Sequence, residues 1–534
     1  MLTQSPFHAG ETAVQTRMGV REAIEPFARR VVRDHLPEQH RAFYAQLPFI
    51  VVAARDAAAR PWATLLAAPS GVADSPDPRT LDLHAVPSVG DALHDALAPG
   101  ADLGVLGIEF HTRRRNRVNG RVASRTAGGM RLEVAQSFGN CPQYIHPRDW
   151  QAQPADVAPT ITRGENLSAA QQAWIRGADT FFIATGFRAS GEQASYGMDA
   201  SHRGGAAGFV QVSTTGEIAW PDYAGNNHYN TLGNLVMDAR IGLLFVDFAT
   251  GSLLQVSGTA RIDWSPDQAR WPGAQRVVAV SVEAVVEQQA VLPLRWQAPA
   301  PLTLEVVKVT DESGDVKSFW FQRADGGPLP PFSAGQHVSL TVPVEGRPEV
   351  RSYSLSSAPR DSRWRISVKR HAQGRVSGLL HEQVTVGAQL RATEPAGDFR
   401  VEGGSSPLVL IGAGIGVTPL VSMLAESVAS GRPVSFIHAA RTREAAPLLA
   451  EIEALAEHAR APLHQVFSQA PSAADGARAR EHVGRLHPAL LARLITSVDC
   501  EVYLCGPAGF VADVSGWLLE QGVEAERIYS ESFG

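Results

Sequence analysis

The sequence predicts a multidomain protein in which three β-rich segments precede one α/β domain. Short apolar runs separated by Gly, Pro, Asp and Asn recur from residue 49 to residue 399. Such close spacing of short strands is typical of β-barrels and β-sandwiches. From residue 407 onward, apolar runs alternate with helical segments, which indicates a parallel sheet covered by helices. A chain of 534 residues is long enough for about three or four domains, each with its own core.

The composition excludes several classes of protein. The formal net charge is −6, and the densest basic cluster, Arg113–Arg117, is interpreted as a solvated turn, so nucleic-acid binding is disfavoured. Only Cys141, Cys500 and Cys505 occur, too few for a disulfide scaffold or a four-cysteine iron–sulfur cluster. No G-x-S-x-G, H-E-x-x-H or paired C-x-x-C motif occurs, so hydrolase chemistry and a metal site have no support.

No targeting or membrane segment is expected. The first residues are charged and lack an apolar signal segment, and the low cysteine count suits a reducing compartment. Gly403–Ala425 is uncharged and long enough to span a membrane, but three glycines and Pro419 in its middle favour a buried strand, turn and helix. We therefore expect a soluble cytoplasmic protein without a membrane partner.

Changes in pattern divide the chain into six segments. Residues 103–122 align with residues 241–262, since both form strand, turn and strand with Gly near the end, and this indicates an internal duplication. A polar connection, Pro142–Glu165, separates the copies, and the Pro- and Ala-rich Val291–Pro301 is the clearest domain boundary. The predicted segments are a helical leader 1–40, a first β copy 41–165, a second β copy 166–290, a linker 291–301, a β-barrel domain 302–402 and an α/β domain 403–534.

A glycine-rich turn at 407–424 is the strongest single motif. An apolar run, Leu408–Ile411, fits a buried parallel strand, and the turn and helix start that follow contain Gly412, Gly414, Gly416, Thr418 and Pro419. Glycines permit a sharp turn and a close approach of the backbone to a ligand. A helix start at this place directs N–H groups at an anion, typically a pyrophosphate. Because position 417 is Val, the spacing is not G-x-G-x-x-G, and a turn that only joins strand and helix is the alternative.

Four further motifs could carry chemistry. Arg351–Ser354 combines a phosphate-binding Arg, a ring-stacking Tyr and a hydrogen-bonding Ser, although an ordinary strand explains it as well. Gly374–Ser377 opens a helix, and Cys505–Pro507 lies between a strand and a helix, where a buried small cysteine is the alternative. The chain ends Tyr529–Gly534, for which a frayed tail is the alternative.

Together these motifs resemble the ferredoxin–NADP reductase superfamily, and within it the reductase half of flavohaemoglobins, over about 302–534. The similar stretches are RSYSLSSAP, GRVSGLLH, PAGDF, GAGIGVTP, IHAAR and YSESFG. The resemblance implies FAD contacts from Arg351, Tyr353, Ser354, Gly374, Ser377 and Phe533. It implies nucleotide contacts from Gly412, Gly414, Gly416, Thr418, Cys505, Gly506 and Pro507. It also implies that Ser354, Cys505 and Glu531 act at the site of hydride transfer.

The second β copy resembles the pyridoxamine 5′-phosphate oxidase-like split barrel, which binds FMN. The matching stretches are HRGG at 202–205 and NNHYNTLGN at 226–234. The resemblance implies FMN contacts from His202, Arg203, Tyr229, Asn230, Thr231 and Asn234. The Arg and Lys pair that this family uses for phosphate is absent, so Arg203, Thr231 and Asn234 are substitutes, and a polar loop is the alternative. We expect the tandem copies to pair within one chain and form one flavin site, with cross-copy contacts from Arg114–Asn116.

The resemblances imply an NAD(P)H-dependent flavin oxidoreductase that passes electrons from NAD(P)H through FAD to an FMN or a substrate on the split barrel. The alternative is an FAD reductase for an external protein, with 41–290 a non-catalytic module for haem, a diffusible flavin or dimerisation. Arg441 and Arg443 follow a strand where a nucleotide 2′-phosphate would lie, but solvated helix-start residues explain them equally. The choice between NADH and NADPH, the final acceptor and a homodimer all stay open.

Overall fold

The computed structural model describes residues 4–140, 143–153, 160–344, 347–372, 374–401, 403–469 and 481–533. Cys141, Pro142 and Gly534, which the sequence analysis singled out, lie outside the described residues. The chain forms two compact units, Met1–Ala298 (unit 1) and Pro299–Gly534 (unit 2). Among the described residues, none of the helices has both the length and the apolar character needed to cross a bilayer.

Unit 1 is built from two β-sheets with short helices. Its first part contains α1 Ala9–Arg17, α2 Arg21–Val31, α3 Glu38–Ala45, β1 Phe49–Arg55, β2 Pro61–Ala67, β3 Ala73–Asp74, β4 Thr80–Leu83, β5 Asp102–Glu109, β6 Arg114–Arg125 and β7 Met130–Gly139. Its second part contains β8 Asp149–Ala152, β9 Ile161–Gly164, α4 Ala169–Gly177, β10 Thr180–Phe187, β11 Gly197–Gly204, β12 Gln211–Val212, β13 Ile218–Asp222, α5 Asn230–Met237, β14 Arg240–Asp247, β15 Ser252–Asp263, β16 Arg276–Gln288 and β17 Leu294–Gln297.

The two sheets of unit 1 have the same strand order. The first runs β2-β1-β5-β6-β7-β4-β3, and the second runs β11-β10-β14-β15-β16-β13-β12. Each long central strand carries a register shift at a glycine, Gly120 in β6 and Gly258 in β15. The repeat that the sequence indicates therefore has a counterpart in the topology.

One apolar core is shared by the two sheets. Strand β1 is buried on both faces, so its residues alternate between the core of its own sheet and a second core. In the second core, Val51 and Leu106 of the first sheet pack with Phe182, Ala184 and Leu244 of the second. Burial of a continuous apolar surface on both sides is the main force that holds the copies together.

Three features of unit 1 add detail to the sequence interpretation, and the boundary between the two units, after Ala298, lies inside the predicted linker 291–301. The predicted linkers are partly strands, because β8 of the first connection pairs with β17 of the second, where Leu294 and Trp296 are buried. The leader 1–40 is helical but is not a separate segment, since Val14 of α1 belongs to the core of the second sheet. Arg113–Arg117 is not simply a solvated turn, since β6 begins at Arg114 and Arg117 is 7% exposed.

Unit 2 contains an antiparallel sheet and a parallel sheet. The antiparallel part contains β18 Leu302–Ser313, β19 Val316–Arg323, β20 His337–Val344, β21 Arg347–Ser354, β22 Trp364–Lys369, α6 Arg375–Gln383 and β23 Gln389–Ala392, in the order β21-β20-β23-β18-β19-β22. The parallel part contains β24 Leu408–Ala413, α7 Val417–Ser430, β25 Val434–Ala440, α8 Leu449–His458, β26 Leu463–Phe467, β27 Glu481–Val483, α9 Pro488–Leu494, β28 Glu501–Gly506, α10 Ala508–Glu520 and β29 Ile528–Ser532, in the order β27-β26-β25-β24-β28-β29.

The parallel sheet has the alternation of strands and helices that the sequence predicts. Two boundaries differ. Helix α8 begins at Leu449 rather than near Glu444, because Leu448 has left-handed backbone angles with φ +58°. The chain terminus is not a frayed tail, since β29 pairs with β28 in parallel over Ile528–Ser532. This pairing brings the predicted Glu531 beside Cys505.

Candidate functional site

The glycine-rich turn of unit 2 lies at the point where the strand order of the parallel sheet reverses. Strand β24 is flanked by β25, the next strand along the chain, and by β28, a later one. In open α/β sheets a crevice forms at the carboxyl ends of two such strands, and ligands bind there. The glycine turn follows β24, and Cys505-Gly506-Pro507 follows β28, with Gly412 paired to Cys505. Both predicted nucleotide motifs therefore border one crevice.

Each glycine of the turn has a different reason to be glycine. Gly414 has φ +55°, and a Cβ placed there would meet no atom within 4 Å, so its backbone faces open space. At Gly416 a Cβ would lie 2.5 Å from the carbonyl oxygen of Cys505, so close packing of the turn on β28 requires glycine. Gly412 packs against Val417 in the same way. Thr418 does not face outward, because its hydroxyl donates to the carbonyl of Ile415 at 3.0 Å.

The strands β28 and β29 bring together two of the three residues expected at the site of hydride transfer. Cys505 and Glu531 are register partners, and the Phe533 backbone N–H donates to the Gly506 carbonyl at 3.0 Å. Burial of Cys505, followed by the nearby charge of Glu531, raises the pKa of its thiol well above the ordinary value. The thiol is therefore neutral at physiological pH and cannot act as a nucleophile.

The two predicted flavin segments meet at one carboxylate. Glu349 accepts from Arg351 of β21 at 3.0 Å, and its other oxygen lies 3.1 Å from Arg375, the first residue of α6. Both guanidinium groups are more than half exposed, so they are accessible to an anionic ligand. Tyr353 is half-buried, and this burial raises its pKa to about 12. The hydroxyl of Ser377 is occupied locally, since it donates to the Gly374 carbonyl.

The antiparallel and parallel sheets of unit 2 are joined by direct side-chain contacts. Arg365 of β22 forms two hydrogen bonds with Glu451 of α8, at 2.5 and 3.0 Å. The Phe399 ring packs edge-on against Tyr503 of β28, and the Tyr503 hydroxyl donates to the Arg400 carbonyl. A charge-assisted bidentate pair fixes geometry as well as distance. The predicted flavin strand and the predicted nucleotide crevice are thus held in one assembly.

The two arginines considered for a 2′-phosphate differ in environment. Arg443 is paired with Glu453 at 2.5 Å and with Glu481 at 2.8 Å. Arg441 is two-thirds exposed, and among the described residues its carboxylate partner is Asp315, at 4.0 Å. Two carboxylates already neutralise Arg443, so of this pair Arg441 is the more available to a phosphate.

Unit 1 contains a cavity at the boundary of its two sheets. It encloses about 860 Å³ of space without protein atoms, part of it open to solvent. Five of the residues predicted for FMN line it: His202, Arg203, Tyr229, Asn230 and Thr231. Arg115, from the cross-copy segment Arg114–Asn116, lines it from the first sheet and lies 3.1 Å from the His202 Nδ1 atom. Residues predicted from both copies therefore line the same cavity.

The sixth residue predicted for FMN, Asn234, lies in the interior of unit 1. Its amide bonds to His8 at 2.9 Å, to Asp199 at 2.8 Å and to Thr185 at 3.2 Å, and it is 1% exposed. These contacts anchor α5 to the interior, and Asn234 is not among the described residues that line the cavity. The structure therefore gives Asn234 partners in the interior, and its contact with a flavin phosphate stays a prediction.

The sequence analysis missed three charged residues of the cavity. Arg117, Asp222 and Arg276 all line it. Arg276 is 1% exposed and binds Asp222 through two nitrogens, at 2.9 Å from Nε and 2.8 Å from Nη2. Alternation along β6 could have placed Arg117 on the same face as Arg115. Arg276 opens an apolar strand and carries no local signal.

Several buried nitrogens of the cavity have no hydrogen-bond partner among the described residues. They are Arg117 Nε, His202 Nε2, Arg203 Nε, Arg276 Nη1 and Asn140 Nδ2. Burial, followed by the nearby Arg115 and Arg203, lowers the pKa of His202 well below its ordinary value. Buried polar atoms are normally hydrogen-bonded, so these nitrogens leave room for acceptors from a bound water, ion or ligand. The cavity is suited to an acceptor-rich, anionic ligand.

Comparison with known proteins identifies the domains of unit 2. Residues 303–401 match the oxidoreductase FAD-binding domain family, and residues 410–516 match the oxidoreductase NAD-binding domain family. A flavohemoprotein of Pseudomonas aeruginosa is 33% identical over 308 residues, which cover 58% of this chain and 75% of that protein. A flavohemoprotein of Chromobacterium violaceum is 41% identical over 251 residues, which cover 45% of this chain and 61% of that protein.

A solved structure is also similar. The flavohem-like FAD/NAD-binding domain of nitric oxide dioxygenase from Vibrio cholerae is 33% identical, and the match covers 44% of this chain and 98% of that one with a TM-score of 0.41. The two domain families and the Pseudomonas aeruginosa relative carry the assignment. The chain therefore belongs to the family of FAD- and NAD-binding oxidoreductases that includes the flavohaemoproteins, and it is an NAD(P)H-dependent flavoprotein oxidoreductase of the ferredoxin–NADP reductase type.

Proposed function

We propose that the chain is an NAD(P)H-dependent oxidoreductase with two flavin sites, for FAD in unit 2 and for FMN in unit 1. Reducing equivalents from the nucleotide would then reach an acceptor within the same chain. The observation that carries this proposal is the cavity of unit 1, because its lining combines the predicted residues of the second copy with Arg115 and Arg117 of the first. An internal acceptor site agrees with the resemblance of the second copy to FMN-binding split barrels.

The residues of unit 2 fit FAD and a pyridine nucleotide. Arg351 and Arg375 would hold the FAD pyrophosphate in place of their present partner Glu349, and Tyr353 would stack on the ring. The open space at Gly414 would accept the nucleotide pyrophosphate. When bound, FAD would supply the redox chemistry: it accepts a hydride from the nucleotide and passes the electrons on to an acceptor.

The chain's own residues would orient the nicotinamide. Gly416 packs closely against the Cys505 carbonyl, so the glycine turn is positioned directly beside the end of β28. The neutral, buried Cys505 thiol and the Glu531 side chain would border the nicotinamide, one as an apolar wall and one as a polar group. Ser354, 7% exposed at the end of β21, would present its hydroxyl to the flavin ring. Close positioning of donor and acceptor is the main protein contribution to such a transfer.

The residues of unit 1 fit a flavin phosphate and ring. Arginines of both copies would meet the phosphate, and Tyr229, which lies under the Arg276 guanidinium at 5.1 Å, would contact the ring system. Asn230 links this lining to the interior, since it accepts from Arg117 at 3.2 Å and donates to Glu11 of α1. FMN would supply a second two-electron carrier at this site.

Anaerobic titration with NADH tests the two-flavin proposal. Protein saturated with FAD and FMN should consume about two equivalents of NADH per chain, because each flavin takes two electrons. Acid extraction of the gently purified protein should release both flavins. One equivalent with FAD alone, after incubation with free FMN, would contradict the proposal. It would instead favour a reductase for an external acceptor protein, with unit 1 a binding module.

A further inference from the structure

The shared topology of the two sheets allows each residue of the unit 1 cavity to be compared with its counterpart in the other copy. The register of β5 with β6 and of β14 with β15 makes Arg117 the counterpart of Gln255. The register shifts at Gly120 and Gly258 support this alignment, since they fall at matching positions. The hairpins β1–β2 and β10–β11 align in the same way.

The cationic residues of the cavity have neutral counterparts. Arg115 and Arg117 correspond to Leu253 and Gln255, and on the neighbouring strand Arg203 corresponds to Leu66. Arg276, at the start of β16, corresponds to Gly128, just before β7. The aligned copies therefore differ in charge at every one of these positions.

The counterpart location is filled by a closed hydrogen-bond network. Thr64, the counterpart of Ser201, donates to Asp91 at 2.5 Å. Gln288 and Gln255 also donate to Asp91, at 2.9 and 3.2 Å, and all four residues are buried. Burial raises the pKa of Asp91, which favours its neutral form. In the described part of the chain, the carboxylate of this network is satisfied, and neutral residues stand at the positions equivalent to Arg117 and Arg203.

The cavity itself is arranged in the opposite way. Ser201 is hydrogen-bonded to Arg117 and, at 3.0 Å, to Thr231, so the same position now supports a guanidinium. Asp222 binds Arg276 at 2.8 Å and lies 3.8 Å from Arg203, and it is the only carboxylate among the described lining residues. Arg117, Arg203 and Arg276 each keep one nitrogen without a partner in the described structure. Guanidinium groups with spare donors match the oxygens of a phosphate.

We propose that Arg117 of the first copy and Arg203 and Arg276 of the second form the phosphate site of the unit 1 cavity, and that the counterpart location binds nothing. Unit 1 then binds one phosphomonoester ligand, although it contains two copies of the fold. The identity of that ligand as FMN rests on the proposed function, whereas the phosphate site does not depend on it. The charge difference between the copies also explains why one chain provides a complete site, since each copy contributes only part of the arginine set.

Binding measurements with three probes test the phosphate site in the full-length protein. FMN, riboflavin and inorganic phosphate are compared by calorimetry and by thermal stabilisation, with Arg203→Gln and Arg276→Gln as the variants. Arg131→Gln is the matched control, since Arg131 is more than half exposed on β7 and pairs only with Asp82 among the described residues. Circular dichroism and the unfolding temperature show whether each variant is folded, and Arg276→Lys retains the charge should the glutamine variant unfold.

We expect FMN to bind once per chain and at least about tenfold more tightly than riboflavin. Each glutamine variant should weaken FMN about ten- to hundredfold and leave riboflavin unchanged, and the control should change neither. Equal affinity for FMN and riboflavin, or two FMN molecules per chain, would overturn the proposal. Stabilisation by phosphate that both variants abolish, without binding of either flavin, would support the phosphate site and reject FMN as the acceptor.

Discussion

Replacement of Gly414 by alanine separates the role of the glycine turn in nucleotide binding from its role in stability. At φ +55° an alanine has unfavourable left-handed backbone angles, which cost about 1–2 kcal/mol. For a unit of this size the unfolding temperature should fall by about 2–8 °C. The new Cβ contacts no protein atom, so the side chain projects into the space that the nucleotide would enter. We therefore expect NADH-driven reduction of FAD to slow about a hundredfold, with FAD retained.

Gly431 offers a matched control at the other end of the same helix. It caps α7 with φ +72°, and a Cβ there would also meet no atom within 4 Å. Gly431→Ala should therefore lose about the same stability as Gly414→Ala and keep its rate of reduction. Stopped-flow absorbance at the flavin band measures the rate, and dithionite confirms that the bound FAD can still be reduced. Equal rates in the two variants would refute the assignment of this turn to the nucleotide.

The remaining predictions concern the flavin strand, acid stability and the choice of nucleotide. Arg351→Ala removes a charge-assisted contact and should weaken FAD binding about ten- to hundredfold in a fluorescence dilution assay. Arg370→Ala should not, because Arg370 follows β22 at the opposite edge of the sheet and pairs with Glu382. Burial lowers the pKa of His438 to about 4 from an ordinary 6.5. Between pH 6.5 and 4, His438 is therefore protonated in the unfolded chain but not in the folded one. About 3 kcal/mol of unfolding free energy is lost as the pH falls through this range. In His438→Phe, the unfolding free energy measured by denaturant titration should depend less on pH in this range. Arg441→Ala should raise the KM for NADPH more than the KM for NADH. Arg443→Ala should lower the unfolding temperature and leave the ratio of the two KM values unchanged, because Arg443 is paired with Glu453 and Glu481. The opposite pattern would contradict the inference that Arg441 is the arginine available to a phosphate.

Local motifs made most of unit 2 predictable. A strand, a glycine turn and a helix start are contiguous in sequence, so their chemistry can be inferred without the fold. The order of the parallel strands then follows from general rules for α/β sheets, which place the ends of β24 and β28 together. These rules could not predict which polar side chains already form hydrogen bonds with neighbouring backbone groups. Thr418 and Ser377 use their hydroxyl groups within their own turns.

The sequence of unit 1 by itself determined a repeat, its strand-rich character and one polar segment, because periodicity and similarity are local properties. Only the tertiary structure decided which copy's arginines share a cavity, since Arg117 and Arg276 are far apart in the chain and meet through sheet packing. It also decided that the leader and the strand-forming parts of both linkers belong to the unit, because Val14, Leu294 and Trp296 are buried by residues distant in sequence. Arg117 of the first copy lines the cavity beside residues of the second copy for the same reason. Packing of the two sheets against each other determines which of their side chains meet.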